Sequence, residues 1–278
     1  MPTTHHITVN NLRLHYVEAG SGPPVLLLHG FPTSSHLYRN IIPTLAKTHR
    51  VLAIDLPGYG LSDKPLDVTY DFDFYADVLD GFLHALDIGD TNLVVHDLGG
   101  PVGLYWALRN PGRVTRLTIL NTLVYPETSW AVKLFLLALR TPILRDYIVS
   151  PKGIVAAMKL GVVHKERLNR AILTPYTAPF ENAAARKALI KAGSGLSIQG
   201  LAQIAKGLPA LKAPLRLIYG ENDRVLPDIA QTMQRIQRAH PNAELTALPN
   251  CGHFLQEDEP ERVAELISEF LNTPSSSP

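Results

Sequence analysis

The sequence predicts an α/β fold: a mostly parallel, doubly wound sheet interrupted once by an inserted helical cap. Three observations point there. Short continuous apolar runs ending in glycine loops, such as PPVLLLHG at 23–30, suit strands buried on both faces of a parallel sheet. These runs alternate with helical stretches in βα order, which places helices on both faces. The rhythm then stops between about 125 and 209, where no buried-strand pattern occurs and Pro142, Pro151, Pro175 and Pro179 separate apolar or amphipathic helical stretches. The core is therefore expected at 1–125 and 210–278, with the cap at 126–209. A length of 278 residues agrees, being large for one ordinary core and small for two average domains.

The elements follow in order. At 7–18, two β-prone runs flank Asn10-Asn11, a pair that tolerates positive φ and suits a tight hairpin. The buried run at 23–30 comes next, then a helix over 37–47, a strand over 51–55, a helix over 72–86 and a strand over 93–96. A helix after Asp97, a strand over 117–121 and the cap continue the chain. The core resumes with a strand over 215–220, a helix over 228–239, a strand over 244–248 and a final helix over 261–271. The tail at 272–278, NTPSSSP, lacks apolar periodicity and is expected to fray.

Composition limits the function classes. Lys and Arg total 26 against 25 Asp and Glu, a net charge of +1, so no nucleic-acid or anionic-membrane footprint shows in the overall balance. With 46% hydrophobic and 18% charged residues the chain has ample core and is not a disordered composition. The single cysteine, Cys251, can form neither an internal disulfide nor a cysteine metal cluster, and it suits a packing role. The N-terminus, MPTTHHITVNN, lacks a basic segment followed by an apolar one, and the apolar stretch at 130–144 contains Lys133, Arg140 and Pro142. We therefore expect no leader, no membrane span and a cytoplasmic protein. The run KLFLLAL at 133–139 lines a substrate entrance or contacts a second subunit, as in a homodimer; the sequence leaves both open.

The chemistry is carried by NLVVHDLGG at 92–100. It places Asp97 between an apolar strand and a helix, with Gly99 and Gly100 behind it, in the shape of a nucleophile elbow. The nucleophile position holds aspartate instead of serine, and the small position two residues before it holds Val95. Asp223 lies in the loop after the strand LRLIYG, and His253 in the loop after the strand ELTALP. All three fall at carboxyl ends of strands, in the order nucleophile, acid, histidine. The loop HGFP at 29–32 supplies a backbone N–H at Phe31 which, with that of Leu98, would form an oxyanion hole. His29 is expected to hold this loop and His96 to shape the elbow, while Asp55, Gly58, Gly60 and Ser62 read as a structural turn. Asp97 as a mere helix cap is the bland alternative, and the later acid and histidine disfavour it.

Together HGFP at 29–32, DLPGYGLSDKP at 55–65, HDLGG at 96–100, GENDRVLP at 220–227 and CGHF at 251–254 resemble the α/β-hydrolases of the epoxide hydrolase and haloalkane dehalogenase group. The resemblance covers residues 5–272. It implies that Asp97 attacks a saturated, polarised carbon to give an alkyl ester. His253, oriented by Asp223, then activates water, and neither a metal nor an organic cofactor is expected. Glu127 is the rival acid, since some dehalogenases take it from the loop after the preceding core strand.

The leaving group separates the subfamilies. An epoxide needs an O–H donor, for which Tyr147 and Tyr176 of the cap are the candidates; a halide needs N–H donors. Dehalogenases typically carry tryptophan after the nucleophile and asparagine in the first loop, where this chain has Leu98 and Phe31. Epoxide hydrolysis is therefore the leading expectation for a small apolar substrate and water. Haloalkane dehalogenation is the alternative, supported by PYTAPF at 175–180 followed by Arg186, with Trp130 as a displaced halide donor. A hydrolase-like binding protein without turnover is a third reading, disfavoured by the intact Asp97, Asp223 and His253.

Overall fold

Asn10 and Asn11 have φ of 50° and 63° and turn the chain between β1 (Thr3–Val9) and its antiparallel partner β2 (Leu12–Ala19). Both residues tolerate the left-handed region because their short polar side chains bond locally. The remaining strands are β3 (Pro24–Leu28), β4 (Arg50–Ile54), β5 (Thr91–His96), β6 (Val114–Leu120), β7 (Leu215–Gly220) and β8 (Glu244–Leu248). The computed structural model describes residues 1–273; of the expected frayed tail, Asn272 ends the last helix and 274–278 lie outside the described residues.

The eight strands form one sheet in the order β1-β2-β4-β3-β5-β6-β7-β8. β2 pairs antiparallel with β4, and every pair beyond it is parallel. Every residue of β5 and β7 is buried, as continuous apolar runs require when helices cover both faces. In the parallel part, the loops at the carboxyl ends of neighbouring strands open on one edge, which brings residues distant in sequence together.

Helices α1 (Ile42–Leu45), α2 (Phe72–Ala85) and α3 (Gly99–Arg109) precede the cap. The single helix expected over 37–47 is instead a 3₁₀ turn, Ser35–Tyr38, followed by α1. Pro43 explains the break, since proline is tolerated only in a first helical turn. Between β6 and β7 run α4 (Trp130–Arg140), α5 (Pro142–Ile148), α6 (Pro151–Gly161), α7 (Arg170–Thr177), α8 (Ala183–Ser194) and α9 (Ile198–Gly207). All of these except α5 open on a Ser or Asn whose side chain accepts a first-turn N–H: Ser129, Ser150, Asn169, Asn182 and Ser197. Each such cap stabilises its helix by about 1 kcal/mol. The chain ends with α10 (Ile229–Ala239), a short α11 (Leu255–Asp258) that sequence reading missed, and α12 (Pro260–Asn272). Among the described residues no helix is long and apolar enough to cross a membrane.

The helical segment is tied to the core through residues just after His253. Glu257 is buried and accepts both Arg39 Nη1 and Nη2, at 2.6 and 2.7 Å, and the Tyr176 hydroxyl of α7. Asp258 accepts the N–H groups of Val163 and His164, at 2.9 and 2.8 Å, and that of Gly252 at 2.8 Å. Its carbonyl takes Arg167 Nη1.

Candidate active site

At the end of β5 the backbone of Asp97 has φ of 48°, in the left-handed region where non-glycine residues are strained. Two neighbours hold it there. Asp97 N–H donates to Asn121 O at 3.0 Å, and Thr122 Oγ1 donates to Asp97 O at 2.6 Å. The turn also needs bare backbone behind it. A Cβ on Gly100 would lie 1.8 Å from Thr122 Oγ1, and one on Gly99 would lie 2.4 Å from His29 O. Val95 occupies the other small position because α3 carries Gly103 opposite it: a Cβ there would meet Val95 Cγ1 at 2.6 Å. The glycine that the elbow lacks on the strand is supplied by the helix.

The Phe31 N–H donates to Asp97 Oδ1 at 2.6 Å, and the Leu98 N–H acts on the same carboxylate, lowering its pKa. The two backbone donors expected for an oxyanion hole therefore converge on this side chain. His29 aims the loop: its Nδ1 bonds Gly30 O at 3.0 Å, so it carries the proton, while Nε2 accepts Leu56 N–H at 3.1 Å. Thr33 Oγ1 bonds Gly30 O from the other side, at 2.9 Å. The Phe31 ring packs edge-on against Phe135 of α4, with centroids 5.1 Å apart.

His253 sits between two carboxylates. Its Nδ1 is 2.8 Å from Asp223 Oδ2, and its Nε2 is 3.3 Å from Asp97 Oδ2 without making a hydrogen bond. The second nitrogen is thus buried and faces Asp97. Asp223 is fixed on all sides: Oδ1 accepts Val225 and Leu226 N–H, each at 2.8 Å, and Oδ2 accepts Asn121 Nδ2 at 2.7 Å. Asn121 also takes Gly220 N–H at 3.0 Å and donates to Gly252 O at 3.2 Å, joining three strand ends with one side chain. Sequence reasoning did not single it out, although its place directly after β6 was a signal.

Electrostatics follow from this geometry. Burial opposes protonation of His253, but Asp223 and Asp97 outweigh it and raise the pKa to about 10. Burial also opposes ionisation of Asp97, yet His253, His96 and the Leu98 N–H hold it below the usual carboxylate range. His96 is pushed down to about 4 by burial and by His253; its Nε2 lies 2.9 Å from His253 O. The ring is therefore neutral and donates there. Burial raises the Cys251 thiol, as befits a packed residue.

The other expected residues are not assembled here. Glu127 is exposed and paired with Arg235 at 2.9 Å, so Asp223 is the acid that reaches the histidine. Tyr147 is 55% exposed and Trp130 is 70% exposed, each on an outward side of its short helix. Tyr176 is buried, but its hydroxyl is committed to Glu257. The expectation that these cap side chains face Asp97 is corrected accordingly. Two core phenols lie beside Gly30 and Leu98 instead. Tyr59 and Tyr75 line a small cavity, of about 10 Å³, together with Gly30, Leu98, Ala192 and Leu196. Tyr75 donates to Pro57 O at 3.2 Å, and burial raises Tyr59 and Tyr75 above the usual tyrosine range.

The family model described as the alpha/beta hydrolase fold matches residues 23–260. Haloalkane dehalogenase 2 of Mycobacterium tuberculosis is 33% identical over 261 residues, covering 92% of this chain and 91% of the relative. A cis-3-alkyl-4-alkyloxetan-2-one decarboxylase of Shewanella oneidensis is 31% identical, covering 96% and 87%. The crystal structure of a haloalkane dehalogenase from Bradyrhizobium elkani superposes with a TM-score of 0.86 at 26% identity, over 98% of both chains. The eight-stranded sheet and these likenesses lead to one assignment: the chain belongs to the α/β-hydrolase fold family, in its epoxide hydrolase and haloalkane dehalogenase group.

Proposed function

We propose that this hydrolase cleaves a carbon–halogen bond of a small apolar substrate through a covalent ester on Asp97. The observation that carries the reading is a carboxylate at the elbow, held by the Phe31 N–H and faced by a histidine. Relatives named haloalkane dehalogenase, at 31–33% identity over 92–97% of the chain, support the halide over other leaving groups.

Asp97 attacks the saturated carbon and the halide departs with the bonding electrons. His253 Nε2 removes a proton from a water, whose oxygen adds to the carboxyl carbon of Asp97. Phe31 and Leu98 hold the oxyanion that forms, each such donor contributing about 3 kcal/mol. On collapse the alcohol leaves with the proton from His253, and the proton left on the carboxyl passes to the ring, replacing the one His253 released to solvent when the ester formed. The charge balance drives the order of events. Esterification removes one of the two carboxylates that raise His253, so its pKa falls once the intermediate exists and the ring becomes a base.

A second reading, epoxide opening to a diol, is favoured by the Tyr59 phenol beside Gly30 and Leu98, since an alkoxide leaving group needs an O–H donor. Bromoalkanes, aryl epoxides and alkylated oxetan-2-ones should be compared side by side, reading halide release, diol and alkene. Halide release with no turnover of the others supports the proposal; diol without halide assigns the second reading. In His253→Gln a confirmed substrate is expected to leave an alkyl adduct on Asp97, visible by intact mass and absent in Asp97→Asn. A turned-over substrate that leaves no adduct overturns the ester mechanism.

A further inference from the structure

Helix α4 is apolar on both sides: Val132, Phe135 and Leu139 pack inward on the core, and a second apolar row faces out. A surface helix normally buries its apolar stripe and exposes the polar one. Here Trp130, Leu134 and Leu137, spaced i, i+4, i+7 on one face, all point outward, and Leu139 is the one fully buried residue of the helix. Next to it α5 buries no residue at all and exposes Ile143, at 84%, with Leu144 and Tyr147. Two consecutive helices thus present a contiguous apolar face.

The charge around this face is one-sided. Over residues 130–160 the chain carries Lys133, Arg140, Arg145, Lys152 and Lys159 against the lone acid Asp146. That is a local net of +4 in a chain whose total is +1, so the rest of the molecule is acidic. Lys133 and Arg140 flank the apolar residues on α4 itself; Lys152 and Lys159 line the exposed side of α6, which packs on α5.

We infer that the outer face of α4 and α5 docks on a lipid bilayer bearing anionic headgroups. An apolar face rimmed by Lys and Arg, with Trp and Tyr at its margin, is what an interfacial helix needs to bury its side chains among acyl chains while its cations meet the headgroups. A second copy of this chain fits less well. A two-fold interface lays a patch on itself, which would set these cations against one another. The inference does not depend on which bond is cleaved. The inner side of α4 carries Phe135, which touches Phe31 beside the nucleophile, so the docked face lies one helix diameter from the site.

The test is sedimentation of the full chain with phosphatidylcholine vesicles prepared with and without phosphatidylserine. The chain is expected to pellet with the phosphatidylserine vesicles and to be released by high salt. Lys133→Glu with Arg140→Glu should lower that partition at least about 25-fold, at about fivefold for each cation lost. Leu137→Ser with Ile143→Ser should lower it as well, with the thermal midpoint unchanged because these side chains are already solvated. A chain that stays in solution with both vesicle compositions overturns the inference. A dimer in sedimentation velocity that the serine variants dissociate, without vesicle binding, assigns the face to a second copy instead.

Discussion

His253 is the residue whose protonation ties the geometry to the chemistry. Its raised pKa rests on two carboxylates, of which one is consumed in the first half-reaction. In Asp97→Asn, which keeps the side-chain shape and tolerates a φ of 48°, the imidazole should titrate below the wild-type value of about 10, followed by NMR of the ring. An unchanged titration would mean that Asp223 alone sets the proton affinity. Asp97, Asp223 and His253 were legible in the sequence because each lies in the turn or loop at the carboxyl end of a strand, and a parallel sheet opens such positions on one edge. Asn121 meets the same criterion, but an amide carries no titratable signature to mark it.

Among the elements, the pairing of β5 with α3 shows how a departure from a motif is compensated. Val95 fills the space that a glycine usually leaves, and Gly103 yields it on the facing helix. Gly103→Ala should destabilise the fold by about 1–3 kcal/mol through overpacking, although alanine is the better helix former. Adding Val95→Ala should recover most of that loss in a denaturant-melt double-mutant cycle, and additivity of the two changes would refute the contact. The sheet and its flanking helices were legible because periodicity and glycine loops act locally. The cap side chains were not: Tyr147, Tyr176 and Trp130 lie on short helices whose rotation is set by packing partners such as Glu257 and Phe31, far away in sequence.

For the molecule as a whole, the buried ionised groups set a pH window for stability. Burial opposes ionisation of Asp55, but His15, His29 and the Leu61 N–H outweigh it and hold the group at about 2, against an ordinary 3.8. Its contribution, about 2 kcal/mol, is complete above pH 3.8 and is lost as the pH falls toward 2. His253 acts in the opposite sense: its contribution is complete below pH 6.5 and is lost as the pH rises through about 10. Urea midpoints should therefore fall at both extremes, and Asp55→Asn should flatten the acid side only. Charge at this scale was the least legible property, because a total of +1 conceals a basic cap on an acidic body.

The anchorage of the cap has a consequence for recombination between relatives. Glu257 and Asp258, which grip Tyr176, Val163 and His164, belong to the same short segment as the histidine that does the proton transfer. A cap transplanted from a homologue at the boundaries of β6 and β7 would arrive without its own anchor and would pull on the loop carrying His253. The heritable unit that can be exchanged is the cap together with residues 252–258, although the two are separated in the gene by a strand, a helix and another strand.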